Sequence, residues 1–111
     1  MAVLISIAVH ETSQWIDELT ANALRFSAAS TRLIVHLNAY NSYADADIQR
    51  WNETARVGVA SHRVPVHWGR GSILYAHVLA ITEASGRWPA CEFVVLQATY
   101  SDSLGYAGAG C

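Results

Sequence analysis

The sequence predicts an α/β fold, a three-layer open parallel sheet with the order β-α-β-α-β-α-β. Two observations carry this expectation. Short apolar, β-branched runs are each followed by a longer amphipathic stretch, the alternation of βαβ units. The first run, Val3 to Val9, is almost continuously apolar instead of alternating, as a parallel strand covered on both faces must be. With 111 residues, 52% apolar and 14% charged, the chain has the material for one core and one domain.

After Val9 the run stops at His10-Glu11, and Thr12 or Ser13 can accept backbone N–H bonds as an N-cap. Trp15, Ile16, Leu19, Ala23 and Leu24 share one helical face, predicting a helix from Ser13 to about Ser27. Arg32 to Asn38 forms the second strand, opening into the turn-rich Asn41-Ser42-Tyr43. A second helix is expected from Ala44 to Thr54, with Ile48, Trp51 and Ala55 inward, and a short strand at Val57 to Ala60. Beyond Pro65 and the segment Trp68-Gly69-Arg70-Gly71, Ser72 is expected to cap a third helix, which buries Ile73, Leu74, His77, Val78 and Ile81 and stops near Gly86. Cys91 to Leu96 is the fourth strand. The tail, residues 99 to 111, is rich in Gly and Ala, has no period, and is expected to be poorly ordered, leaving residues 1 to 98 as the folded unit.

The charge pattern removes several function classes. The basic residues are seven scattered arginines and the net charge is −2, so no basic stripe exists to neutralise a nucleic-acid backbone. The opening apolar run is far short of the roughly 20 residues of a membrane span and lacks the positive flank of a signal peptide. A cytoplasmic protein with no membrane partner is expected. Cys91 and Cys111 form no C-x-x-C arrangement, which argues against a zinc site or structural disulfide.

In an open parallel sheet, ligands bind at the carboxyl ends of the strands. Here those ends carry His10-Glu11, Asn38-Ala39, the segment from His62 to Ser72, and Gln97 to Asp102. Polar residues therefore converge on one rim, as in a nucleotide or small-molecule site.

The segment Val66-His67-Trp68-Gly69-Arg70-Gly71-Ser72-Ile73-Leu74-Tyr75-Ala76 resembles the "V-x-W-G-G-x-S-x-x-x-A" signature of the core-2/I-branching enzyme and peptide O-xylosyltransferase family, a GT-A glycosyltransferase group. In the same order, Ile5 to Glu11 is similar to that family's first strand ending in "V-H-K" or "V-H-H". Leu33 to Asn38 is similar to its "Y-V-I-H-V-D" strand, and Glu92 to Ala98 to its "F-D-Y-x-x-L-L-S-G" strand. The resemblance spans residues 2 to 98. It implies the Rossmann-like N-terminal half of a nucleotide-sugar transferase that binds a UDP-sugar donor without a metal or other cofactor and glycosylates a glycan or hydroxyl acceptor. Carried over by position, Val9, His10, Glu11, Asn38, Trp68 and Gly69 would contact the donor, and Ser72 would cap the supporting helix. Asn38 stands where the family has an aspartate, which keeps hydrogen bonding and loses charge. The family's catalytic glutamate lies in a C-terminal half with no counterpart in these residues, so a half domain without its own base is expected, and no catalytic residue is assigned.

Other candidates have structural explanations. His36 lies within an apolar strand and reads as a satisfied core histidine. His62 and His67 lack further ligands for a metal. Asp45-Ala46-Asp47 imitates the D-x-D metal motif, but it begins a predicted helix, where acids complement the macrodipole. Gly69-Arg70-Gly71-Ser72 lacks a Walker lysine, though a helix N-terminus aided by Arg70 can face a diphosphate. An alternative to the transferase half is a non-catalytic, flavodoxin-like nucleotide-binding or interaction module. In either case the last strand offers an exposed edge for self-association.

Overall fold

The computed structural model describes residues 2–66, 71–91 and 93–98. Its elements follow the expected order: β1 (Val3–Val9), α1 (Ser13–Arg25), β2 (Arg32–Leu37), α2 (Asp45–Glu53), β3 (Val57–Val59), α3 (Ser72–Arg87) and β4 (Phe93–Ala98). All strands are parallel, in the spatial order β3-β2-β1-β4. This is the order of the first four strands of a Rossmann-like sheet. A flavodoxin-like sheet would pair β3 with β1. Here β3 adds to the far edge of β2 and β4 takes the place beside β1, so that topology is corrected.

Two apolar layers hold the sheet. Ile7, Val9, Leu33, Val35, Leu37, Val57 and Val59 pack with Ile16 of α1 and Trp51 of α2. The alternate residues Leu4 and Ile34 pack with Ala60 and with Ala80 and Ala84 of α3. Both central strands are thus buried on two faces, which explains why β1 and β2 read as continuous apolar runs.

Helix α3 departs most from expectation. Its buried stripe is Ala76, His77, Ala80 and Ala84, while Leu74 and Val78 face solvent. Alanines at successive turns let the helix lie close on β1 and β2, a fit that a search for large apolar side chains overlooks. Gly71, not Ser72, holds the N-cap position, and Ser72 is the first helical residue. Gly86 lies inside the helix. The stop is Pro89, whose ring forces the preceding Trp88 out of the α region, to φ −130° and ψ 72°. Trp15 of α1 and Ala55 are exposed, and β4 begins two residues later than expected. The tail expected at 99 to 111 lies outside the described residues.

Helices α1 and α2 are tied through Asp17, which accepts two bonds of 2.9 Å from Arg50 and one of 2.6 Å from Trp51 Nε1. Asp47 accepts from Arg50 at 2.6 Å. Asp45 and Asp47 therefore serve the first turn of α2, as expected for acids at a helix N-terminus.

Burial ranks the strands. Leu33 is fully buried, whereas Leu96 of β4 is 47% exposed. Leu33→Ala is expected to cost roughly 2–5 kcal/mol and Leu96→Ala about 1 kcal/mol or less, measured as the shift in urea denaturation.

Candidate functional site

The chain leaves β1 toward the face carrying α1 and reaches β4, on β1's other side, through α3 on the opposite face. This divergence makes the carboxyl end of β1 the point where a crevice opens. Two hollows lie there. A cleft of about 320 Å³ is lined by His10, Glu11, Thr12, Ser13, Asn41, Ser42 and Tyr43, between the turns that follow β1 and β2. A second cavity of about 10 Å³, room for a single water, is walled by Ala8, Val9, His10, Asn38, Val66 and Ile73. His10 borders both.

The β1 turn is ordered by its own residues. Glu11 turns its carboxylate back so that Oε1 accepts from the His10 backbone N–H at 3.2 Å, with Oε2 3.7 Å from His10 Nε2. Thr12 caps α1 by accepting from Trp15 N–H at 3.4 Å. A carboxylate thus stands at the turn where a phosphate-binding Rossmann loop has glycines. Ribose or base hydrogen-bonding groups suit this cleft better than a phosphate.

Asn38 sits just past β2. Its Oδ1 accepts from Tyr40 N–H at 3.1 Å and from Val66 N–H at 3.2 Å, joining the β2 and β3 loops. With the oxygen occupied, the NH₂ is the group Asn38 has for a ligand. Val9 belongs mainly to the core: its side chain is buried and its carbonyl accepts from Asn38 N–H at 3.0 Å. The structure therefore brings Val9, His10 and Asn38 around one cavity and His10 and Glu11 around the adjacent cleft. Trp68 and Gly69 lie outside the described residues, as do His67 and Arg70.

Three residues not singled out for this role in the sequence build the rim. Arg63 donates to the carbonyls of Leu37 at 3.3 Å, Asn38 at 2.9 Å and Asn41, and its guanidinium lies 5.4 Å from the Tyr43 ring centre. Tyr43 donates its hydroxyl to the Glu11 carbonyl at 2.8 Å. Burial, reinforced by the Glu11 charge, pushes the Tyr43 phenol up to about 12, so it remains a donor at neutral pH. The three loops are thereby joined in series, Arg63 to Tyr43 to Glu11. The signal in the sequence was weak, because an arginine serving carbonyls has no fixed partner in the chain.

His36 is the third. It is buried as expected, but only half satisfied: Nε2 accepts from Val64 N–H at 2.8 Å, while Nδ1 has no partner among the described residues. Burial above all, then the fields of His77 and Arg63, lower its pKa to about 4. On the same face Ser6 Oγ and His77 Nδ1 share a hydrogen bond of 2.8 Å, and burial lowers the His77 pKa as well.

Among the described residues, no group of three or more His, Cys, Asp or Glu side chains is placed to hold a metal, and no helix is long and apolar enough to cross a membrane. No protein-family model and no curated protein matches this chain.

Two predictions follow from the rim. Arg63→Met removes charge-assisted bonds to partly buried carbonyls and is expected to cost roughly 2 kcal/mol in urea denaturation. His36 binds its proton less readily folded, near 4, than unfolded, near 6.5. Its contribution is therefore complete above about pH 6.5 and lost as pH falls toward 4, a change of about 3 kcal/mol in stability measured across that window.

Proposed function

We propose that this chain is the donor-binding half of a UDP-sugar glycosyltransferase of the core-2/I-branching type. The observation that carries the reading is the placement of His10 and Glu11, at the end of β1, beside Asn38, at the end of β2, around hollows on one rim. These are the positions at which the resemblance assigns donor contacts. A cleft of about 320 Å³ lies at the small end of ligand sites. Its imidazole, hydroxyl and carboxylate groups suit the uridine portion of the donor.

In this reading the nucleoside lies across the β1 and β2 turns, with the Asn38 NH₂ donating to a uracil or ribose oxygen. The resemblance adds Trp68 and Gly69 as further donor contacts. The diphosphate is assigned to the N-terminal end of α3, whose backbone amides favour an anion, with Arg70 next to it in sequence. The transfer is metal-independent, to a hydroxyl of a glycan or similar acceptor in the cytoplasm. A base that takes the acceptor proton is required, and none of the residues assigned here fills that role. The same placement also supports a non-catalytic nucleotide-binding module, which would bind the donor's nucleotide and transfer nothing.

Amide NMR of the chain with added UDP tests the reading. Shifts centred on His10, Asn38 and Trp68 are expected, and Trp68→Ala is expected to weaken UDP binding roughly tenfold, about 1.4 kcal/mol. A folded Trp68→Ala protein with unchanged UDP affinity overturns the site.

A further inference from the structure

The loop between β3 and α3 crosses the strand ends and carries Arg63, Val64 and Val66 to the rim. Val64 is buried, and its backbone N–H ends on a side chain, His36 Nε2, 2.8 Å away. That acceptor exists only while Nε2 carries no proton, so the neutral ring must keep its proton on Nδ1. Among the described residues Nδ1 has no partner beyond its own backbone, so that side of the imidazole is poorly satisfied in the core. An apolar residue would fill the space without that penalty. What the histidine supplies, and an apolar residue would not, is the Nε2 acceptor for the loop.

The loop is also tied at its start, where Ser61 N–H and Oγ both donate to Glu83 Oε1 of α3 at 2.9 Å, and at the rim. Ala39 N–H donates to the Val64 carbonyl at 3.2 Å, Val66 N–H donates to Asn38 Oδ1 at 3.2 Å, and Arg63 holds the carbonyls of 37, 38 and 41. Val66 in turn walls the small cavity with His10 and Asn38.

We propose that the 61–66 loop is an acid-released clamp on this rim: neutral His36 holds Val64 down, and a proton on Nε2 frees the loop and the wall it builds. A protonated Nε2 would confront the Val64 N–H donor to donor. The charge would also lie among groups that repel it. Among the described residues, α3 presents His77 to His36 and the loop presents Arg63, both of which disfavour a second positive charge. Strand β1 brings the neutral hydroxyl of Ser6, and β3, Val57–Val59, brings no titratable group. Among the described residues no carboxylate acts on the ring, and the Glu83 carboxylate of α3 is taken up by Ser61 N–H and Oγ, so the strain is relieved by opening the loop. The consequence for nucleotide binding rests on the function proposed above; the clamp itself does not.

The test is a pH titration of the isotope-labelled chain by NMR, reading the His36 ring and the backbone amides together. Val64 and Val66 amides are expected to move with His36 at a midpoint near pH 4, while Ile7 and Val35 amides of the central strands keep their folded positions. In His36→Gln, an amide oxygen can accept from Val64 without titrating, and the Val64 amide is expected to stay at its neutral-pH position. Two results overturn the clamp: a Val64 amide that ignores His36 protonation, or a spectrum that collapses everywhere at one midpoint. The wild-type titration decides this even where the variant fails to fold. A UDP titration then reads the consequence, with wild-type affinity expected to fall about fourfold, beyond any change in His36→Gln, at half a pH unit below the midpoint. Absence of UDP binding at pH 7 overturns the nucleotide reading, and the Val64 amide still decides the clamp.

Discussion

Coverage of β1 on both faces is the constraint from which the rest follows. It is paired with β2 on one edge and β4 on the other, with α1 and α2 packed over one face of the sheet and α3 over the other. Its residues Leu4 to Val9 are almost entirely shielded, so its carboxyl end emerges at a fixed place and direction. His10 and Glu11 inherit that precision. Burial fixes which residues of β1 face each helical layer, and so its register, and the rim forms on that base with a set geometry.

The rim converts this rigid base into a site by side-chain ties instead of regular structure. Arg63 serves carbonyls on and beyond β2, Tyr43 reaches back to the β1 turn, and Asn38 and His36 each hold a backbone N–H of the β3–α3 loop. Each tie uses a polar group at or under the rim, so ligand contacts and loop anchors compete for the same atoms. Asn38 shows the result: its oxygen is committed internally to Tyr40 and Val66 N–H, which leaves its NH₂ as the group it could offer a ligand. His36 shows the other side, because an anchor made from an imidazole makes loop geometry sensitive to proton concentration.

The element order was legible because β1 and β2 are apolar throughout and the helices between them carry period and caps. The start of α1 was legible to within one residue, as a cap at Thr12 or Ser13, and Thr12 is the cap. Boundaries were not legible where two stop signals compete: Gly86 tolerates the helix, while Pro89 forbids it. The inner face of α3 was hidden because close packing on a sheet selects alanine, which hydrophobicity ranks low. At the site, strand-end positions such as His10 and Asn38 follow from topology alone. Arg63 and Tyr43 do not, since their partners are backbone carbonyls whose positions exist only once the loops have folded.

The two sides of the crevice are unequally prepared. On the β2 side, every loop is anchored to a strand buried on both faces. On the β4 side, Val94 and Leu96, in register with Leu4 and Ser6, are 45% and 47% exposed, and Val95, on the opposite face, is 42% exposed. Apolar side chains exposed on both faces of an edge strand mean that neither helical layer extends over it. Among the described residues, strand β4 is held mainly by its ladder to β1. Cover over β4, from whatever source, would bury Val94, Val95 and Leu96 and fix that edge of the sheet as the β2 side is fixed already.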